Sequence, residues 1–393
     1  MVQNRFALIL TLRSQQHFST KTPARHMSNH INRKRITQDG EQVFLVLPSH
    51  IINDIIMPSW HFYATCHSLW NLVPEQVLES LLRIKRSNDF KRTYAYTIAA
   101  QLRSEVIFLW LKANKQPMNY FTCRILATDC NLDALKWARS HQLPWNERLC
   151  SIAAQNGHLD VLKWAHENGC PWGEFTCDSA ARNGHLDLLI WARENGCAWG
   201  EWTCSQAAEN GHLDVLKWVR QNGCPWNEWT CANAAENGHL HVLKWAREHG
   251  CPWNECTSSA AAENGHLDVL IWAHANGCLW DERTCSYAAY NGHLDVLKWA
   301  RANGCPWNEC TCSNAAYNGH LNVLKWAREN GCNWDEFTCS SAAENCHLNV
   351  LKWAHENGCS WGEFTCASAA ENGHLNVLEW ARENGYPFSY LDG

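Results

Sequence analysis

The sequence predicts an all-α solenoid of about eleven helix-turn-helix repeats behind a small N-terminal helical region. A segment of 27 residues recurs nine times without a gap from Trp145 to Pro387. Each copy contains glycines at fixed positions between two runs whose apolar residues follow helical spacing. A unit this short cannot bury its own apolar face, so neighbouring copies must stack and share one core.

Residues 1–42 are predicted to be a disordered basic tail or a targeting segment. The first 38 residues hold seven Lys and Arg, several Ser and Thr, and no Asp or Glu. This composition is typical of mitochondrial presequences and of disordered basic tails, and both interpretations stay open. The expected location is the cytoplasm, with the mitochondrion as the alternative.

Residues 43–90 show helical spacing of apolar residues without the 27-residue repeat. One interpretation is a small helical cap for the solenoid. Leu47-Pro48, the spaced isoleucines after it and the segment from Cys66 to Trp70 also resemble an F-box. That resemblance implies docking onto a Skp-type adaptor of ubiquitin ligases.

The repeat array is predicted to span residues 91–387. Its nine regular copies cover 145–387, and two degenerate copies cover 91–144. The later degenerate copy keeps the tryptophan of the second helix as Trp137. Residues 388–393 form a short tail.

The copy that begins at Trp226 illustrates how each unit is built. Asn227 is predicted to cap the first helix, and Asn237-Gly238 to end it, because glycine readily adopts the left-handed conformation. The second helix is predicted to begin at His239-Leu240 and to end at Gly250. The second-helix positions expected to face water are residue 241, Lys244, Arg247 and Glu248.

The recurring string Ala-Ala-x-Asn-Gly-His-Leu-x-Val-Leu-Lys resembles the second half of the ankyrin repeat, over about 300 residues of this chain. The stretch from the final glycine to the next Ala-Ala pair is about six residues shorter than in ordinary ankyrin repeats, so a projecting β-hairpin has no room. The predicted fold is therefore an ankyrin-like helix-turn-helix solenoid, similar to the short repeats of large-DNA-virus and protist proteins. The resemblance implies protein–protein binding and no catalysis.

The positions that differ between copies predict a binding surface. They lie at i, i+4 and i+7 of the first helix, and therefore on one face, which in an ankyrin-like stack is concave. Exposed Trp, Tyr and Arg residues most often carry interface energy. The predicted partner-binding residues are Trp202, Gln206, Trp229, Asn233, Arg283, Tyr287, Tyr290, Asn314 and Tyr317. The alternative for Trp202 and Trp229 is that they pack against the neighbouring copy and stiffen the stack.

Cysteine and histidine recur too regularly to indicate a metal site. Sixteen of the 22 cysteines occupy two repeat positions, those of Cys231 and Cys251. Equivalent positions on packed helices lie ~8–10 Å apart, beyond disulfide range, so buried thiols in a reducing compartment are predicted. The histidine of each copy at the position of His239 is predicted to bond the turn backbone, because zinc needs ligands that converge on one point. Neither a metal nor a cofactor is expected.

No phosphate-binding loop, His-Glu-x-x-His or Gly-x-Ser-x-Gly motif occurs, so an enzyme is not predicted. The net charge is −6, and acidic and basic residues are interleaved along each repeat, so nucleic acid is not an expected partner. No apolar run approaches the ~20 residues of a membrane helix.

The predicted function is a non-enzymatic, monomeric scaffold that binds an unidentified protein on its concave face. The alternative is the substrate-recognition subunit of an F-box/cullin ubiquitin ligase, in which residues 43–72 recruit the Skp-type adaptor.

Overall fold

The computed structural model describes residues 95–113, 118–360 and 363–385. Throughout these ranges helices are the only regular secondary structure, which confirms the all-α fold class. Within them, no helix has the length and apolar character needed to cross a membrane. The predictions for the N-terminal tail, the cap or F-box-like segment and the C-terminal tail fall outside the described residues.

Two short helices alternate along the chain, one pair in each copy. In chain order they are α1 Ala95–Gln101, α2 Glu105–Ala113, α3 Phe121–Thr128, α4 Leu132–Ser140, α5 Glu147–Gln155, α6 Leu159–Glu167, α7 Glu174–Arg182, α8 Leu186–Glu194, α9 Glu201–Glu209, α10 Leu213–Gln221, α11 Glu228–Glu236, α12 Leu240–Glu248, α13 Glu255–Glu263, α14 Leu267–Ala275, α15 Glu282–Tyr290, α16 Leu294–Ala302, α17 Glu309–Tyr317, α18 Leu321–Glu329, α19 Glu336–Glu344, α20 Leu348–Glu356, α21 Glu363–Glu371 and α22 Leu375–Glu383. Odd numbers mark the first helix of a copy and even numbers the second.

The predicted helix ends are confirmed in the copy that begins at Trp226. The side chain of Asn227 accepts a hydrogen bond from the backbone N–H of Trp229 at 3.1 Å, so it caps α11. Gly238 follows α11 with φ +72°, and Gly250 follows α12 with φ +82°. Glycine tolerates this left-handed conformation without the Cβ conflict of other residues.

The chain divides into two compact units, residues 1–126 with 133–144, and residues 127–132 with 145–393. In the first unit, Phe108 packs edge-on against both Tyr96 and Trp137, with ring centroids 5.7 Å apart in each pair. This cluster supplies an aromatic centre to the degenerate copies.

In the second unit, each first helix packs against the first helix of the next copy and against its own second helix. The side chains in these contacts are small: Thr230, Cys231 and Ala235 of α11 are fully buried. Small residues let neighbouring first helices approach closely. Branched side chains such as Leu243 of α12, also fully buried, fill the core beneath them.

The histidine of a regular copy links it to the copy before, which confirms the predicted structural role. Nε2 of His266 lies 3.1 Å from the carbonyl oxygen of Glu236, the last residue of α11. Its ring lies against Gly238, where an added Cβ would be 2.8 Å from ring atoms. The glycine therefore permits the left-handed turn and also leaves space for the imidazole ring of the next copy.

The cysteines are free thiols throughout the described part of the chain, and most are buried, as predicted. The thiol of Cys251 lies 3.5 Å from the carbonyl oxygen of Asn227 and donates to it. This contact joins the end of α12 to the start of α11 within one copy. The second cysteine of the repeat therefore holds the loop in place by donating its thiol to a backbone carbonyl.

A ladder of tryptophan pairs lies beside the loops, and it corrects one prediction. Trp226 packs edge-on against Trp245 with centroids 6.0 Å apart. The prediction that Arg247 faces water is wrong. Its guanidinium carbon lies 4.0 Å from the ring centroid of Trp253. Because arginine stacks on aromatic faces, this side chain packs on the tryptophan of the following loop instead of extending into solvent.

Three copies have another residue where the first helix normally ends in glycine. Cys346 has φ +61°, and Cys130 and Arg103 have φ +53° and +49°. Each of these side chains donates to a residue at the start of the second helix of the following copy. The acceptors of Arg103, Cys130 and Cys346 are Asp133, Asp160 and Asn376, at 2.7, 3.7 and 3.2 Å.

Candidate protein-binding surface

The first helices of the regular copies leave one side uncovered, which we call the first-helix face. On α11 the third, fourth, seventh and eighth residues are buried. The second, sixth and ninth residues, Trp229, Asn233 and Glu236, point away from that core. The first-helix face consists of these three positions in each copy.

Aromatic rings at the second position form exposed rows on this face. Phe175 is 72% exposed, Trp202 59% and Trp229 47%, in three consecutive copies. Phe337 and Phe364 are 57% and 60% exposed further along the chain. Phe175 and Trp202 thus leave more than half of their surface exposed, whereas Trp229 buries slightly more than half.

Tyr290 and Tyr317 contribute more to packing between copies than Trp202 and Trp229 do. Their rings, from consecutive copies, stack with centroids 5.8 Å apart and an interplanar angle of 21°. Tyr290 is 37% exposed, and Tyr287 is half-buried. This part of the first-helix face therefore contributes to contact between copies as well as to the surface.

Two of the polar residues predicted for the site already form ion pairs or hydrogen bonds within the protein. Arg283 binds Asp281 and Glu255 through ion pairs of 2.8 and 3.3 Å. Asn314 donates to the carbonyl oxygen of Ser286 at 3.2 Å, and so bonds to the preceding copy.

Two other predicted residues lie closer to the exposed tryptophans. Gln206 donates a hydrogen bond to Glu209 at 2.9 Å. Asn233 is half-buried and lies on the same side of α11 as Trp229 and Glu236. The structure therefore brings Trp202, Gln206, Trp229 and Asn233 together on adjacent helices, α9 and α11. Arg283, Tyr287, Tyr290, Asn314 and Tyr317 belong to the later helices α15 and α17.

A cleft of about 400 Å³ opens on the first-helix face between α7 and α9. Its lining residues are Gln155, Phe175, Asp178, Ser179, Arg182, Asn183, Trp202 and Gln206. The walls combine two exposed aromatic rings with a carboxylate and a guanidinium. Such a mixture suits one side chain of a partner protein.

Asp178 lines the cleft but is not among the residues predicted from the sequence. Its Oδ1 accepts a hydrogen bond of 2.6 Å from Thr203 Oγ1, which ties α7 to α9. Burial raises the pKa of Asp178, an effect that the bond from Thr203 offsets in part. The signal was present in the sequence, because every other regular copy has Ser or Ala at this position.

Charge is unequally divided between the two kinds of helix, although it is interleaved along the sequence. The nine first helices of the regular copies carry fifteen Asp and Glu against three Arg and no Lys. The nine second helices carry twelve acidic and twelve basic residues. The acidic excess of the array therefore lies on the side of the first helices.

Carboxylates of consecutive copies also act on one another. Burial raises the pKa of Glu236, and the negative charges of Glu263 and Glu209 raise it further. Like charges at the ninth position of three successive first helices thus lie within electrostatic range. Among the described residues, no cluster of three or more His, Cys, Asp or Glu side chains could hold a metal ion.

A comparison with protein families agrees with the repeat architecture. Residues 285–337 match the family model of ankyrin repeats in many copies. That segment lies within the series of 27-residue copies, and the repeated helical units fit ankyrin-like repeats. A solved structure, the human ASB11 ankyrin repeat domain, is 17% identical, with a TM-score of 0.34, and the match covers 40% of this chain and 84% of that one. Among curated proteins, none matches this sequence.

Proposed function

We propose that the ankyrin-like repeats of this chain form a non-enzymatic scaffold that binds another protein on the first-helix face. Ankyrin repeats are general protein–protein interaction modules. In an ankyrin-like stack the first helices line the concave side, so the partner would lie along that side. The residues proposed to contact it are those predicted from the sequence, centred on Trp202 and Trp229.

The observation that supports this proposal most strongly is the exposure of aromatic rings on a face that varies between copies. The core and turn residues repeat, whereas the second, sixth and ninth residues of the first helices change. Trp202 and Trp229 remain 59% and 47% exposed at these variable positions. Tryptophan is a frequent interface residue.

The test is affinity capture from cell lysate with the full chain, read by quantitative mass spectrometry. The variant Trp202→Ala/Trp229→Ala removes the two exposed rings. The matched control is Ile271→Lys, because Ile271 is 41% exposed on the second helix α14 and other copies have lysine there. Both proteins should keep the melting temperature of the parent within about 2 °C, since surface substitutions change stability little.

The double tryptophan variant is expected to lose a captured protein that the Ile271→Lys control retains. Equal capture by both variants would contradict the proposed surface. The ubiquitin-ligase alternative depends on residues 43–72, which lie outside the described residues. The same capture tests it, because a ligase subunit would retrieve a Skp-type adaptor that the tryptophan variant still binds.

A further inference from the structure

We infer that the partner segment bound by the first-helix face at α7, α9 and α11 is an extended, basic polypeptide whose Lys or Arg side chains recur about every third residue. This inference rests on the proposed function, because it names the chemistry of the protein that this face would bind. It follows from three features of the face: its charge, its aromatic rings and its cleft.

The charge of the first helices favours a cationic partner. Two of their three arginines are already paired, Arg182 with Glu209 at 2.9 Å and Arg283 with Glu255 at 3.3 Å. Within the described residues, no lysine or arginine forms an ion pair with Glu236 or Glu263. A cation placed beside these carboxylates would relieve their mutual repulsion.

Exposed rings share one side of a helix with a carboxylate in two of these copies. Trp229 and Glu236 are the second and ninth residues of α11, and Trp202 and Glu209 hold the same positions in α9. The second and ninth residues of a helix point in nearly the same direction. A Lys or Arg side chain laid between them can place its charge near both the carboxylate and the ring face, which attracts cations.

The cleft provides a seat for one such side chain. Phe175 and Trp202 line its walls, and Asp178 lies between them. Oδ1 of Asp178 is bonded to Thr203, and its other carboxylate oxygen has no hydrogen-bond partner among the described residues. Arg182 also lines the cleft, but its guanidinium is held by Glu209, so it does not satisfy Asp178.

The repeat spacing selects an extended chain over a compact cation. Packed helices are separated by roughly 8–10 Å, and an extended polyproline II segment advances roughly 3.1 Å per residue with about three residues per turn, so every third side chain points the same way. Three residues of a partner therefore span one copy. A segment that crosses α7, α9 and α11 would present a basic side chain to Phe175, Trp202 and Trp229 in turn if its Lys or Arg residues recur at that interval.

The experiment uses the full chain and fluorescein-labelled peptides, with binding read by fluorescence anisotropy at low salt. The probe peptide carries arginine at every third position between Gly and Ser. One control peptide has the same composition with its arginines in a single block, and another has glutamate in place of arginine. The expected order of affinity is the spaced arginine peptide, then the blocked isomer, with no binding of the glutamate peptide.

Two protein variants separate a built site from general attraction. Asp178→Asn/Glu236→Gln removes one carboxylate of the cleft and one of the first-helix face, and should weaken binding of the spaced peptide roughly tenfold, within the range for two ion pairs. Glu248→Gln is the matched control, because Glu248 is exposed on the second helix α12. It should leave binding unchanged.

Equal affinity for the spaced and glutamate peptides, or equal weakening by Glu248→Gln, would overturn the inference. If the spaced peptide does not bind while Trp202→Ala/Trp229→Ala still loses its captured protein, the proposed function stands and the basic partner is wrong. If the tryptophan variant captures the same proteins as the parent, the proposed function itself fails.

Discussion

Replacing Gly238 by alanine tests the double role assigned to the glycine that ends each first helix. Gly238 has φ +72°, a conformation that costs a residue with a Cβ about 1–2 kcal/mol. The new Cβ would also lie 2.8 Å from atoms of the His266 ring, so the imidazole must move. Moving the ring should strain its 3.1 Å contact with the Glu236 carbonyl, a bond worth about 1 kcal/mol, although the equivalent His374 keeps a 2.8 Å contact beside Cys346. The expected loss is therefore about 2–3 kcal/mol.

Gly250 provides the matched control within the same copy. Its φ is +82°, but an added Cβ would meet nothing within 4 Å. Gly250→Ala should therefore cost only the conformational part, about 1–2 kcal/mol. The difference between the two variants isolates the contact with the next copy's histidine.

The assay is urea unfolding of the full chain followed by far-ultraviolet circular dichroism, with the pair repeated in a His266→Ala background. Without the imidazole, Gly238→Ala and Gly250→Ala should destabilise equally, as in a double-mutant cycle. Equal losses in the parent background would refute the reasoning, since they would mean that the ring is not seated on the glycine.

Three further predictions concern the turns and ladders. Cys346→Gly should raise the free energy of unfolding by up to about 1 kcal/mol, because it relieves a left-handed residue at φ +61°; an unchanged or lower urea midpoint would contradict this. Burial and the neighbouring His241 lower the pKa of His239, so the unfolded chain binds more protons and the melting temperature should fall between about pH 7.5 and 6. His239→Asn, which copies the residue of a degenerate repeat, should reduce that fall, whereas the same slope in both proteins would argue against it. Arg220→Lys should lower the free energy of unfolding, measured by urea titration, by about 0.5–1 kcal/mol, because the guanidinium stacks 3.9 Å from the ring centroid of Trp226. In the control variant His274→Arg, arginine replaces the imidazole that stacks on Trp280. It restores the residue that most copies have at this position and should leave the urea midpoint nearly unchanged.

Local features of each unit could be predicted from the sequence, because they depend on residues close in the chain. The cap at Asn227, the left-handed Gly238 and the start of α12 all follow from short-range backbone chemistry. The 27-residue period then identifies the stack, since no copy can bury its apolar face alone.

Contacts between copies were harder to predict, because periodicity describes one unit and not how side chains meet across units. Asp178 bonds Thr203 of the next copy, and Tyr290 stacks on Tyr317, both over about one repeat. The sequence shows that Asp178 is unusual among the copies, but not that it lines a cleft.

The distribution of charge shows the same limit. Acidic and basic residues alternate in order along each repeat, so the linear pattern suggests a balanced surface. Stacking places all the first helices side by side, and their common glutamates then accumulate on one side of the array. Only the arrangement of the helices separates the acidic first helices from the balanced second helices.

The central claim, that a partner protein covers the first-helix face, is tested most directly by carboxyl footprinting of the full chain with and without the captured protein. Carbodiimide labelling followed by mass spectrometry reports the accessibility of each carboxylate. Binding on the proposed face should protect Glu236 and Glu263 from labelling and leave Glu248 and Glu194, on second helices, unchanged. Protection of Glu248 and Glu194 with full labelling of Glu236 and Glu263 would contradict the account.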